Sequence, residues 1–182
     1  EYKIELVYGD NESNTEKAVS AATKIISEGV SVVLGSYGSA VAIAASDTFK
    51  NAGVPAIGVT CTNPQVTEGN SHYFRICFLD PFQGTVHANY AYKEMGATKA
   101  YTLAMLGSDY DQGLVYYFSE AFKGLGGEGV SEDFPEGNAN CVSYIDNAMA
   151  DGADVIFCPV STNYAQLIIE AAAAQGFNDQ LC

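Results

Sequence analysis

The stretch VVLGSYGSAVAIAAS, Val32–Ser46, decides the fold class of this chain. A β-branched apolar run ends in two glycines and two serines, and an alanine-rich segment follows, which predicts a buried strand, a tight turn and a helix. Helix N-termini carry unpaired backbone N–H groups and a partial positive charge. The turn therefore predicts a site for a small carboxylate, with Ser36 and Ser39 as hydroxyl donors. The alternative is that Ser39 only caps its own helix.

The same alternation of strands and helices continues on both sides of this turn. Strands separated by helices of about ten to fifteen residues are typical of βαβ units, so we predict an α/β fold with parallel sheets and helices on both faces. The predicted strands are Lys3–Asp10, Val30–Ser36, Val54–Thr60, Tyr73–Cys77, Thr98–Leu106, Gly129–Gly137, Ala153–Val160 and the terminal Asp179–Cys182. The predicted helices are Ser13–Gly29, Ala40–Gly53, Phe82–Gly96, Asp111–Gly127, Cys141–Gly152 and Thr162–Gly176, and Ser13 with Glu16 predicts a capping box for the first of them.

One segment, Thr62–Pro81, breaks this alternation. It shows no helical pattern, contains two prolines, and runs a short strand into Asp80 and Pro81. We interpret it as a crossover between two αβ lobes. The predicted domains are therefore an N-terminal lobe of residues 1–79 and a C-terminal lobe of residues 80–182.

Composition and charge exclude several classes of function. The 182 residues carry a net charge of −14, from 22 acidic and 8 basic side chains. A surface of this sign repels phosphate backbones, so nucleic acid is not expected as a partner. The sequence has no P-loop, dinucleotide fingerprint or GxSxG elbow, and neither His72 nor His87 belongs to a nucleophile–base set. We predict no cofactor and no enzymatic activity.

The five cysteines are an odd number at wide spacings, without a CxxC pair. This argues against a zinc site and against a disulfide framework. Cys77 and Cys158 lie in apolar runs and are predicted to be buried. Cys61 lies in a polar loop and is predicted to be accessible to solvent.

Three further strand-to-helix turns repeat the hydroxyl-rich pattern of the first. Ligands of open α/β sheets bind beside the carboxyl ends of the strands, where these turns lie. We therefore predict that two turns from each lobe face each other across a cleft and hold the ligand there. The three turns are GVTCTNP with Thr60 and Thr62, LGSDYDQG with Ser108, Asp109 and Tyr110, and CPVSTNY with Ser161, Thr162 and Asn163.

Four segments of the sequence, in this order along the chain, resemble the type I periplasmic binding proteins. They are VVLGSYGSAVAIAASDTFKNAGVPAIGVTCTNPQVT, YFRICFLDPFQG, SDYDQG and VIFCPV…QLIIEAAAAQGF. The greatest similarity is to the branched-chain amino-acid binding proteins of ABC importers, and it covers nearly the whole chain. The resemblance implies two Rossmann-like lobes that close on an amino acid. It also implies an ABC permease as partner and a location in the periplasm, or outside the membrane as a lipoprotein.

The resemblance assigns roles to the first lobe's turns. Ser39 stands where the family places a serine hydroxyl on the ligand carboxylate, and Thr62 where a threonine binds the carboxylate or ammonium. Thr60 stands where a backbone carbonyl accepts a hydrogen bond from the ammonium. Tyr37 and Gly38 complete the implied ligand-binding set in this lobe. Gly38 also occupies a position of the family's disulfide, which this sequence lacks.

In the second lobe the resemblance implies two further ligand contacts. Tyr110 matches the aromatic residue that lies over the ligand. Ser161 stands where the family often has a tyrosine, so this position departs from the pattern of branched-chain specificity. The same fold also forms the ligand domain of receptors and of amide-responsive regulators, and a sensor is therefore the second hypothesis.

The resemblance also gives expectations about the ends of the chain. The family's first strand and helix are expected before Glu1, and an acidic partner for the ligand ammonium after Cys182. We therefore expect an internal fragment, truncated at both ends, that binds ligand poorly by itself. Either a second copy completes its first sheet as a homodimer, or Lys3–Tyr8 pairs directly with Val30–Gly35.

Overall fold

Strands and helices alternate through the computed structural model, which describes residues 3–177 and 180–181. The chain divides into two compact units between Leu79 and Asp80. The first contains α1 (Thr15–Ser27), β1 (Val33–Leu34), α2 (Ser39–Ala52), β2 (Ala56–Gly58), a 3₁₀ turn (Pro64–Val66) and β3 (Tyr73–Arg75). The second contains α3 (Asp80–Asn89) with a following π-helical turn (Tyr90–Glu94), β4 (Lys99–Met105), α4 (Asp109–Gly124), β5 (Glu128–Phe134), α5 (Val142–Asp151), β6 (Val155–Phe157), α6 (Thr162–Gln175) and β7 (Gln180–Leu181).

The first unit is built on three parallel strands in the order β1-β2-β3. One hydrophobic cluster joins α1 and α2 to the sheet through buried residues that include Ala22, Ala45 and Tyr73. Leu34 and Phe74 lie in register on either side of Ile57, and both are exposed. The prediction of helices on both faces is therefore wrong for the described part of this unit, where α1, α2 and the sheet share one hydrophobic cluster.

The second unit has four parallel strands in the order β5-β4-β6-β7. Hydrophobic clusters lie on both faces, one formed with α3 and α4 and the other with α5 and α6. On the α4 side the rings of Phe118 and Phe157 stack with centroids 4.1 Å apart. β5 pairs with one edge of β4, and the next strand, β6, pairs with the other edge. The order in which strands are added to the sheet therefore changes direction at β4. The predicted α/β class, with two parallel sheets flanked by helices, is confirmed.

The predicted strand Lys3–Asp10 is not formed. These residues lie outside the helices and strands, and Ile4, Leu6 and Tyr8 expose 85%, 69% and 78% of their surface. A cavity of about 1100 Å³ lies between this segment, β1, α1 and α2. The expected direct pairing of Lys3–Tyr8 with Val30–Gly35 is therefore wrong, since a strand needs a neighbour within hydrogen-bonding distance. The homodimer stays a prediction.

Smaller differences concern the first helix and the cysteines. Asn14 rather than Ser13 caps α1, because its side chain accepts a hydrogen bond from the backbone N–H of Lys17 (3.0 Å). Cys61 is buried and not accessible, whereas Cys77 and Cys158 are only partly buried.

In the described residues, no helix has both the length and the apolar character needed to cross a membrane.

Candidate functional site

The turn between β1 and α2 is held by hydrogen bonds from β3 and from the loop after β2. The Tyr73 hydroxyl of β3 donates to the carbonyl of Gly35 (3.0 Å), and the Cys61 thiol donates to the carbonyl of Ser36 (2.8 Å). Burial raises the pKa of both the tyrosine and the thiol, so both hydrogens stay in place at neutral pH. Gly35 has a φ of 137°, which favours glycine at this position. The turn therefore has a defined geometry.

Ser39 is not the cap of its helix. Gly38 occupies the N-cap position without a side-chain hydrogen bond, and Ser39 is the first residue of α2. Ser39 is only 2% exposed, and its Oγ accepts a hydrogen bond from the backbone N–H of Asn63 (3.3 Å). The alternative left open by the sequence is thus wrong, because the Ser39 hydroxyl reaches the loop after β2 instead of its own helix.

The loop after β2 brings two threonines to the same place. The Thr60 hydroxyl donates to the carbonyl of Tyr37 (2.7 Å), which joins this loop to the first turn. Thr62 is 6% exposed, and its Oγ1 is buried without a hydrogen-bond partner among the described residues. Buried hydroxyls are normally paired, so this hydroxyl is free to bind a further group. Both threonines, together with Tyr37, Gly38 and Ser39, lie where the two turns meet.

Two residues that build this region were not predicted from the sequence to take part in it. The first is Cys61, whose thiol donates to the carbonyl of Ser36. Arg75 of β3 donates four hydrogen bonds to the Cys61–Thr67 loop. The only signal in the sequence was the FR pair of the YFRICFLDP segment, and spacing alone does not show which loop an arginine will reach.

In the second unit the predicted residues lie at the carboxyl ends of β4 and β6. These strands are neighbours, and the sheet grows in opposite directions from them, which is where open α/β sheets bind ligands. Tyr110 lies in the first turn of α4 and packs partly against the α3–α4 cluster. Ser161 caps α6 without a side-chain hydrogen bond and is exposed. Their role in ligand binding stays a prediction.

Ser108 has a structural role at the start of α4. Its Oγ accepts from the backbone N–H of Asp111 (3.2 Å) and donates to Asp111 Oδ1 (2.7 Å). Asp111 Oδ2 also accepts from the backbone N–H of Met105 (3.2 Å). Burial raises the pKa of the Asp111 carboxyl, against the opposing effect of these hydrogen bonds.

Asp111 makes the stability of the chain depend on pH in a definite direction. A carboxyl whose pKa is raised by folding favours the folded state most below its ordinary value of 3.8, and this contribution is lost as the pH rises through the raised pKa. Asp111→Asn removes the titration. We expect the stability of the variant relative to the original chain to increase between acidic and neutral pH, measured by urea unfolding. A difference that is constant over this range would contradict the prediction.

Within residues 3–177, no group of three or more His, Cys, Asp or Glu side chains is placed to hold a metal ion. His87 lies on α3 with its ring 5.5 Å from that of Phe157, and burial lowers its pKa.

Comparisons with known proteins agree with this fold. A family model described as periplasmic binding protein matches residues 1–182. The Leu/Ile/Val-binding protein homolog 1 of Brucella suis is 31% identical over 180 residues, which are 98% of this chain and 48% of the relative. The crystal structure of a leucine binding protein from Thermotoga maritima is 32% identical with a TM-score of 0.94, covering 97% of this chain and 51% of that one.

A second solved structure includes a ligand. It is a branched-chain amino acid transporter substrate binding protein from Streptococcus pneumoniae in complex with isoleucine, 31% identical with a TM-score of 0.87. The match covers 97% of this chain and 51% of that protein. This chain thus spans about half the length of the relatives that it matches. The resemblance found in the sequence is confirmed, and the chain belongs to the periplasmic binding protein family.

Proposed function

We propose that the complete protein containing these residues binds a small amino acid or a related carboxylate and presents it to the permease of an ABC importer. Transport is preferred over sensing because the similar protein from Streptococcus pneumoniae is a transporter substrate binding protein. In this proposal Ser39 and Thr62 bind the ligand carboxylate, together with backbone N–H groups at the start of α2. The carbonyl of Thr60 accepts from the ammonium, and Tyr37 and Gly38 line the same turn.

The buried, unpaired Oγ1 of Thr62 is the observation that carries this proposal. Leaving a buried hydroxyl unpaired costs about 1–3 kcal/mol, so a structure keeps one mainly where a partner arrives later. The start of α2 lies beside it, where unpaired N–H groups and the helix dipole favour a negative charge. A carboxylate satisfies both features at once.

Family membership supports the remaining parts of the proposal. Its members are binding proteins, which confirms the prediction that this chain is not an enzyme. The family is extracytoplasmic, in agreement with the location expected from the sequence. Tyr110 and Ser161 are our candidates for contacting the side chain of the ligand.

A thermal-shift panel of the twenty amino acids on the complete gene product tests the function. A ligand at one hundred times its Kd stabilises the folded protein by about 2.7 kcal/mol, which is readily seen as a rise in Tm. We expect one or a few small amino acids to raise Tm. A flat panel, confirmed by calorimetric titration with L-leucine and L-isoleucine, would overturn the proposal.

Tyr110 and Tyr116 provide a matched comparison within α4. Tyr110 is partly buried in the first turn, at the predicted ligand side, whereas Tyr116 is exposed further along the helix. We expect Tyr110→Ala to weaken binding of the best ligand about tenfold, since an aromatic contact contributes about 0.5–1.5 kcal/mol beyond the area that it buries. Tyr116→Ala should leave the affinity unchanged in the same titration. Equal effects of both substitutions would remove Tyr110 from the site.

A further inference from the structure

The side chain of Arg75 holds the loop that presents Thr62. Its Nη1 donates to the carbonyls of Cys61 (2.8 Å) and Asn63 (2.9 Å), and its Nη2 donates to the carbonyl of Pro64 (3.1 Å) and to Thr67 Oγ1 (2.9 Å). A guanidinium is planar and presents its N–H groups in a fixed fork, so it can bind several oxygens at set positions. Arg75 uses this fork on one short loop.

These contacts fix the backbone on both sides of Thr62. The carbonyls of Cys61 and Asn63 belong to the residues that directly precede and follow it, so neither neighbouring residue can rotate without breaking a bond to Arg75. Asn63, whose carbonyl binds Arg75, also donates its backbone N–H to Ser39 Oγ. Asn63 therefore connects Arg75 to the hydroxyl of Ser39 and, as the next residue in the chain, to Thr62.

We propose that Arg75 is a positioning residue of the ligand site. It sets the direction of Thr62 Oγ1 and of the Asn63 N–H through the loop carbonyls. The inference rests on the proposed function, because the affinity it controls is that for the amino-acid ligand. A lysine at this position keeps the positive charge but has a single nitrogen, which cannot reproduce a planar fork on four oxygens.

The chain offers a matched control in Lys50. Its Nζ donates to the carbonyl of Gly69 (2.8 Å), so it is also a cation that holds a carbonyl of the same region. Gly69 lies outside the Cys61–Thr67 loop that Arg75 binds. Lys50→Met therefore removes a comparable bond without affecting the proposed positioning.

The test uses Arg75→Lys, Arg75→Ala and Lys50→Met in the complete gene product, titrated with L-leucine and L-isoleucine. We expect Arg75→Lys to weaken binding about tenfold, Arg75→Ala to weaken it further, and Lys50→Met to have no effect. Millimolar guanidinium, far below denaturing concentrations, should restore part of the affinity of Arg75→Ala, and ammonium should not. Wild-type affinity in Arg75→Lys, or equal rescue by both cations, would overturn the proposal.

Amide hydrogen exchange of the ligand-free protein separates this inference from the proposed function. Arg75→Lys should speed exchange in the Cys61–Thr67 loop, including the Asn63 amide, and leave α4 unchanged. If the original protein binds neither amino acid, the proposed function fails while this measurement still decides whether Arg75 positions the loop. Unchanged exchange in the loop would overturn the positioning role independently of any ligand.

Discussion

Gly84→Ala is expected to lower the free energy of unfolding by about 1–3 kcal/mol, although alanine is the better helix former. Gly84 is buried in α3, where this helix packs on α4. A Cβ at this position would lie 2.7 Å from the backbone nitrogen of Phe118 and 2.7 Å from the Cβ of Tyr117. Both atoms belong to the backbone of α4 or are bonded directly to it, so they cannot move aside as the end of a flexible side chain does. The two helices must therefore separate, which loosens the core on this face of the sheet.

Gly124 is the matched control for this substitution. It ends α4, is exposed, and has no described atom within 4 Å of the point that an alanine Cβ would occupy. Gly124→Ala should leave the stability unchanged or raise it by up to about 1 kcal/mol through helix propensity. The two variants are compared by thermal unfolding, where each 1 kcal/mol corresponds to a shift of about 2–4 °C. Equal Tm values for both variants would show that the contact between α3 and α4 is not tightly packed at Gly84.

The sequence predicted those elements whose signals are local. The apolar spacing of α2, with Gly53 in a left-handed conformation at its end, defines a helix without reference to any other part of the chain. The helix predicted over Asp111–Gly127 likewise forms, although it begins at Asp109, two residues earlier, because Ser108 caps it. The carboxyl ends of β4 and β6 follow from the order of strands and helices, so their turns could be placed at one end of a sheet. Short-range patterns are enough for such features.

Features that depend on distant residues were missed or wrong. Lys3–Asp10 has the alternation of a strand, but strand formation requires a neighbour, which the pattern itself does not reveal. Cys61 lies among polar residues in the sequence, yet the carbonyl of Ser36, 25 positions away, receives its thiol hydrogen in the interior. The alternative that Ser39 only caps its own helix was left open, because its contact with Asn63 crosses 24 positions. Contacts of this kind become visible only when the turns are assembled.

Under the proposed function, Ser39→Ala and Thr62→Val are each expected to weaken binding of the amino-acid ligand about tenfold to a hundredfold. A hydroxyl that donates to a carboxylate contributes on the order of 1.5–3 kcal/mol, which corresponds to that range of Kd. Both residues are almost fully buried, so water replaces the lost hydrogen bond poorly. Calorimetric titration of the complete gene product with L-leucine or L-isoleucine measures the effect. Thr23→Val, an exposed substitution in α1, is the matched control and should leave Kd unchanged.

The two substitutions should differ in the absence of ligand, and this difference tests the assignment most sharply. The Ser39 hydroxyl accepts a hydrogen bond from Asn63, so Ser39→Ala leaves a buried N–H without its acceptor and should cost about 1–3 kcal/mol of stability. Thr62 Oγ1 has no partner among the described residues, so a methyl group of similar shape should leave the stability unchanged or raise it. Thr62→Val is therefore expected to weaken binding while the ligand-free protein melts at the same or a higher temperature. If this variant melts lower and binds normally, the Thr62 hydroxyl supports the loop and does not bind the ligand.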